Sequence, residues 1–136
     1  MTIHSSSIID PDAKLGEDVS VGPFSIIGPH VQIGSRTVID SHVVIEANTI
    51  IGEGCKIFHG ASIGGEPQIM GFKDVSSSVE IGDGTVIREY ATIHRSGYKD
   101  GVTRIGKNCL LMAYSHFGHD CVLGDQVIVV NGTGLS

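Results

Sequence analysis

The segment YSHFGHDC, residues 114–121, brings together side chains that could transfer protons or bind a metal. His116 and His119 stand three positions apart, and Asp120 directly follows the second histidine. Neutral histidine is a common general base near neutral pH, and a neighbouring carboxylate can raise its basicity. Histidine nitrogens are also frequent zinc ligands. The residue types alone therefore leave three interpretations open: a general base, a metal site, or polar side chains on a surface.

The composition narrows the possible partners. The chain has 136 residues, of which 40% are hydrophobic, and a formal net charge of −6 without any run of Lys or Arg. We therefore expect no binding to nucleic acid or to an anionic membrane surface. No stretch of 18 apolar residues is present, so no membrane span is predicted. Three cysteines give no disulfide framework, and we expect a cytoplasmic protein with reduced thiols.

A period of six residues organises the chain. Ile, Leu or Val recurs at every sixth position within 9–63, 81–93 and 105–135, with Phe117 as the exception. A column of small or β-branched residues lies two positions earlier, and the position after the aliphatic residue is Gly ten times. Inward positions spaced by two are typical of a short strand. We expect each glycine to supply the permissive backbone of the following turn.

These units predict an all-β solenoid. Three six-residue units close one triangular turn of a parallel β-helix, and stacked turns bury the core that a single turn could not. In this register Thr92 lies below His116 and His94 below Gly118, so His94, His116 and His119 gather on one edge. His116 points outward because Phe117 points inward, whereas the three cysteines fall in the small inward column and are expected to be inert thiols.

The period is interrupted twice, which predicts one domain over 1–136 with loops at about 64–80 and 95–104. Loops that leave a rigid solenoid often carry function, although they can also be tolerated insertions. Both predicted loops lie beside the histidine edge.

The repeat [ILV]-Gly-x-x-[small]-x resembles the hexapeptide-repeat family, whose fold is a left-handed parallel β-helix and whose members are usually homotrimers. Within it, four segments resemble the bacterial UDP-N-acetylglucosamine O-acyltransferases. These segments are VGPFSIIGPHVQIG, SHVVIEANTIIG, IREYATIHR and LLMAYSHFGHDCVLGD. The resemblance implies transfer of a 3-hydroxyacyl chain from acyl carrier protein to the 3-position of UDP-N-acetylglucosamine, the first step of lipid A biosynthesis.

The resemblance also implies roles for single residues. His119 of the H-x-x-H-D-C motif would be the general base and Asp120 its support, while His116, His94 and Gln68 would contact the substrate. No metal and no cofactor are implied. The family's first loop usually reads Q-D-L-K, but here Ile69 stands for the acid and Gly71 for the base. Family members continue for several more turns and a C-terminal helical domain, which are absent here, so we expect low activity from the short chain alone.

Two other functions are compatible with the repeat. The chain could be a trimeric scaffold or binding domain that does no chemistry, or a hexapeptide transferase that uses acetyl-CoA. A zinc site is less compatible: the hexapeptide-repeat carbonic anhydrases separate their two close histidines by four residues, and HFGH separates them by two.

Overall fold

The computed structural model describes all 136 residues and confirms the predicted left-handed parallel β-helix. Each strand is only two to four residues long, because the chain turns after every hexapeptide unit. The strands are β1 (Thr2–Ile3), β2 (Ile8–Ile9), β3 (Lys14–Leu15), β4 (Ser20–Val21), β5 (Ile26–Ile27), β6 (Gln32–Ile33), β7 (Val38–Ile39), β8 (Val44–Ile45), β9 (Thr49–Ile51), β10 (Lys56–Ile57), β11 (Ser62–Gly65), β12 (Ser78–Ile81), β13 (Val86–Ile87), β14 (Thr92–His94), β15 (Val102–Ile105), β16 (Leu110–Leu111), β17 (His116–Phe117), β18 (Val122–Leu123), β19 (Ile128–Val129) and β20 (Gly134–Leu135).

Every third strand joins the same sheet, so the molecule has three flat faces. The first sheet has the order β1-β4-β7-β10-β13-β16-β19, the second β2-β5-β8-β11-β14-β17-β20, and the third β18-β15-β12-β9-β6-β3. Strands pair in parallel and residue to residue, as in the second sheet where Ile27 pairs with Ile45. No helix in the structure has the length and apolar character needed to cross a membrane.

The two predicted inward columns form the core. A cluster of 23 buried hydrophobic residues runs along the solenoid and includes Ile45, Ile63 and Phe117. Several polar members of the small column hydrogen-bond to the backbone: the hydroxyls of Ser25 and Thr37 donate to carbonyl oxygens at 2.8 Å, whereas those of Thr49 and Ser115 are buried without a partner. Burial with a hydrogen bond avoids the cost of a desolvated hydroxyl.

The expected role of the glycine column is wrong. Apart from Gly64, the glycines that follow the aliphatic residue do not have positive φ angles; the left-handed conformation falls two positions later, at residues such as Phe24 and His30. The column is small because stacked turns approach closely there. A Cβ on Gly34 would lie 2.5 Å from the carbonyl carbon of Gly52, which is shorter than the nonbonded contacts that Cβ atoms make.

Both insertions leave the solenoid at the same place. Segments 66–77, 95–101 and 118–121 connect the second sheet to the third in three successive turns. We call the corner that they form the loop corner. The third segment has the normal length and carries His119 and Asp120, so the two longer segments lie in the turns that precede this pair along the solenoid.

Candidate active site

One pocket at the loop corner holds the predicted histidines. It has a volume of about 400 Å³ and is lined by Gln68, His94, His116, Gly118, His119, Gly134, Leu135 and Ser136. Gln68 comes from the first inserted segment, and the histidines come from β14, β17 and the turn after β17. The pairing of Thr92 with His116 matches the register predicted from the period. Four of the five predicted site residues thus line one pocket, namely Gln68, His94, His116 and His119. The fifth, Asp120, follows His119 and does not line the pocket.

His119 and Asp120 form a bonded pair. Their Nδ1 and Oδ2 atoms are 2.8 Å apart. Neighbours in an extended strand would point to opposite faces, but these residues occupy a turn in which Asp120 has a φ of 67°. This left-handed residue lets the carboxylate fold back onto the preceding imidazole. The side chain of His119 remains 39% exposed, so a substrate can reach it.

The carboxylate of Asp120 is stabilised in its charged form. Burial acts to raise the pKa of Asp120, but hydrogen bonds from Ser96, His119 and the Gly97 amide together outweigh burial, and the pKa is lowered. An ionised carboxylate can only accept hydrogen bonds. Nδ1 of His119 is therefore the donor in the pair, and Nε2 is the ring nitrogen that is left free to accept a proton.

His116 and His94 form the adjoining wall of the pocket. Their rings meet edge to face with centroids 5.2 Å apart. Nδ1 of His116 lies 2.7 Å from Oγ1 of Thr92, and Nδ1 of His94 donates to the carbonyl oxygen of Glu66 at 2.6 Å. Burial, with a smaller contribution from His94, lowers the pKa of His116. His116 is therefore neutral at pH 7.

The structure adds two residues to the site that the sequence did not single out. Ser96 is fully buried and donates to Oδ1 of Asp120, and the Gly97 amide donates to Oδ2 at 3.1 Å. Both belong to the second inserted segment, which lacks the six-residue period. The signal that could have found them is the shared corner, which places residues 95–101 one turn before His119.

The two departures in the first segment differ in their surroundings. The Cδ1 atom of Ile69 lies 2.7 Å from the place that a Cβ on Gly97 would occupy, so Ile69 packs over Gly97 beside the His119–Asp120 pair. Gly71 has a φ of 73°, and a Cβ there would contact nothing. No group of three His, Cys, Asp or Glu side chains converges as a metal site would require.

Comparisons with known proteins agree with the fold and the repeat. A family model described as bacterial transferase hexapeptide (six repeats) matches residues 103–136. The chain is 62% identical over 120 residues to an acyl-[acyl-carrier-protein]–UDP-N-acetylglucosamine O-acyltransferase of Sulfurihydrogenibium sp., covering 88% of this chain and 44% of the relative. It is 54% identical to the enzyme of that name from Trichlorobacter lovleyi, covering 96% of this chain and 51% of the relative.

A solved structure gives the same result. The UDP-N-acetylglucosamine acyltransferase of Francisella novicida superposes with a TM-score of 0.95 at 44% identity, over 98% of this chain and 49% of that one. The chain spans about half the length of the curated relatives it matches. Over nearly its whole length, then, the chain is similar to UDP-N-acetylglucosamine O-acyltransferases, and its residues 103–136 match the hexapeptide transferase family.

Proposed function

We propose that the chain acts in acyl transfer from acyl carrier protein to the 3-position of UDP-N-acetylglucosamine, the first step of lipid A biosynthesis. The carrying observation is the His119–Asp120 pair, bonded at 2.8 Å, on the edge of a pocket that Gln68, His94 and His116 also line. The names of the relatives supply the substrates. The pocket supplies the chemistry, because a neutral histidine held by a carboxylate is suited to remove a proton from a hydroxyl.

The proposed reaction uses the free Nε2 of His119. Nε2 accepts the proton of the sugar hydroxyl as the oxygen attacks the thioester carbonyl carbon. The tetrahedral intermediate then collapses, the carbon–sulfur bond breaks with its electron pair going to sulfur, and the imidazolium gives its proton to the leaving thiolate. Asp120 stays ionised throughout and stabilises the imidazolium that forms between the two steps.

The remaining pocket residues suit substrate contact. His116 is neutral and His94 has its Nδ1 occupied by Glu66, so the Nε2 of His94 is free to accept a hydrogen bond from a hydroxyl. Gln68 offers both a donor and an acceptor from the first inserted segment. We assign these three side chains to binding of the sugar nucleotide.

We also propose a homotrimer in the cytoplasm as the working form. The pocket lies on an outer edge of the solenoid, where a neighbouring copy would cover it. Trimers are usual for the family that the repeat resembles, and acyl carrier protein would deliver the acyl chain from solution.

The test is a transfer assay on the longest polypeptide that the reading frame encodes, with 3-hydroxyacyl-acyl carrier protein and UDP-N-acetylglucosamine. His119→Ala should lower the rate constant by about 10²–10⁴-fold, the usual contribution of a general base. Binding of the sugar nucleotide and thermal stability should change little, since His119 lies outside the core. His4→Ala is the matched control, because His4 is an exposed histidine in the first turn.

Other outcomes separate the alternatives. Transfer from acetyl-CoA but not from acyl carrier protein would make the chain a different hexapeptide transferase. Wild-type rates in His119→Ala would remove the base assignment, and sugar-nucleotide binding without any transfer would favour the binding-domain interpretation.

A further inference from the structure

The carboxylate of Asp120 is held from three sides. Its Oδ1 accepts a hydrogen bond from the hydroxyl of Ser96. Its Oδ2 accepts from the Gly97 amide at 3.1 Å and from Nδ1 of His119 at 2.8 Å. Two of these three donors belong to the second inserted segment, so this segment sets the rotation of the carboxylate relative to the imidazole.

The direction of the Ser96 hydroxyl is determined by its surroundings. Ser96 is fully buried, so water cannot substitute for its partners. The Tyr98 amide donates to Oγ of Ser96 at 3.1 Å, which occupies an acceptor site of the hydroxyl. The hydroxyl proton therefore goes to the charged oxygen of Asp120, and hydrogen bonds to a charged acceptor are the stronger kind.

The first inserted segment supports Ser96 in turn. The hydroxyl of Ser77, itself buried, donates to the carbonyl oxygen of Ser96 at 2.6 Å. The guanidinium of Arg95 donates to Oγ of Ser77 at 2.9 Å. Ile69, which belongs to the first inserted segment, packs over Gly97 and leaves no space for a side chain at position 97. A chain of buried polar contacts thus runs from the first segment through the second to the carboxylate.

We propose that Ser96 is a positioning residue: its hydroxyl, with the Gly97 amide, holds Asp120 so that Oδ2 faces Nδ1 of His119. The value of this arrangement for catalysis rests on the proposed function, but the arrangement itself does not. The first inserted segment lines the pocket through Gln68, and the two segments together fix the orientation of the His119–Asp120 pair that the normal-length segment carries.

The test compares Ser96→Ala with Ser25→Ala. Ser25 is also fully buried and its hydroxyl also donates a hydrogen bond, in this case to the backbone oxygen of Asp40, but it lies several turns from the pocket. The titration of the Asp120 carboxyl carbon is followed by NMR in the whole 136-residue chain. Removing the Ser96 hydroxyl should move the midpoint of Asp120 to higher pH, because the bond favours the charged form. Ser25→Ala should leave the midpoint unchanged, and an unchanged midpoint in Ser96→Ala would overturn the proposal.

The wild-type protein provides a second measurement in case Ser96→Ala does not fold. The Ser96 hydroxyl proton should give a resonance protected from exchange with water, as should that of Ser25. Absence of the Ser96 resonance in spectra that show the Ser25 resonance would contradict the proposed bond.

Kinetics distinguish this proposal from the proposed function. Where transfer is measurable, Ser96→Ala should lower kcat by roughly tenfold or more with little change in KM, as expected for a misoriented base. A raised Asp120 midpoint, together with no transfer by the longest polypeptide that the reading frame encodes, would support the positioning role and contradict the proposed function; transfer by that polypeptide with an unchanged midpoint would do the reverse.

Discussion

His116 shows how the solenoid sets the charge of a single side chain. Its ring is packed between Thr92 in the turn below, to which Nδ1 is bonded, and the edge of the His94 ring. Burial disfavours the imidazolium, and a second histidine nearby disfavours it further. The pocket can therefore present an uncharged nitrogen to a substrate at pH 7, although three histidines stand together.

The lowered pKa of His116 predicts a pH-dependent stability. Below pH 6.5, the ordinary pKa of histidine, residue His116 binds a proton in the unfolded chain more readily than in the folded chain. The contribution of His116 to the free energy of unfolding is therefore complete above pH 6.5 and is lost as the pH falls. Urea unfolding of His116→Gln should depend less on pH between 7.5 and 5.5 than unfolding of the wild type. In an NMR titration the ring protons of His116 should change with a midpoint below pH 6.5. The ionisable side chains near it are those of His94, His119 and Asp120. A midpoint above pH 6.5 would contradict the assigned environment.

The strand β8 depends on the turns that are stacked on either side of it. β8 pairs with β5 and with β11, and its inward residue Ile45 is fully buried between theirs. A two-residue strand has almost no stability of its own. Its conformation is held by the pairs above and below, so damage at one inward position should spread along the solenoid.

Ile45→Asp should therefore unfold the domain. An unpaired buried charge costs on the order of several kcal/mol, a large fraction of the roughly 5–15 kcal/mol that stabilises a typical domain. Gln32→Asp is the matched control, because Gln32 is a polar residue that points outward from β6 and is exposed. Circular dichroism and urea unfolding would compare the two. A soluble, cooperatively folded Ile45→Asp protein would show that the inward column is assigned wrongly.

Strands and core were predictable from the sequence because the same contact recurs every six residues. Each aliphatic position reports one inward side chain, and Phe117 follows the rule despite its different type. The function of the glycines was not predictable in this way, since a glycine chosen for close approach looks the same as one chosen for a left-handed turn. Ser96 was not singled out because a serine outside the repeat carries no chemical signature of its own, although the 24-residue offset that places Thr92 against His116 also places Ser96 against Asp120.

The whole molecule presents three flat faces with apolar side chains on them. Ile26, Ile50 and Val122 are outward residues with exposed fractions of 44%, 39% and 75%. Exposed apolar groups in rows on a rigid face are typical of surfaces that pack against a partner. For a repeat of this family, the partner we expect is a second and a third copy of the chain.

The homotrimer predicts a specific mass in solution. Light scattering of the purified chain should give three times the 14.3 kDa of one copy. Dilution should dissociate the trimer and lower the measured mass. If the pocket needs a neighbouring copy to be complete, any transfer activity should fall over the same range of concentrations. A concentration-independent mass of one chain would contradict the trimer and weaken the proposed function with it.

The pairing of strands on both sides of the insertions has an evolutionary consequence. Ile51 pairs with Ile81, and Ile81 with Ile105, although the connections between these turns differ in length. The packing of the core is therefore independent of the number of residues in segments 66–77 and 95–101. Lengthening a surface loop costs little free energy. Selection can thus change the length of these two segments without disturbing the stacked core, as long as the contacts of Ser96 and Gly97 with Asp120 are kept.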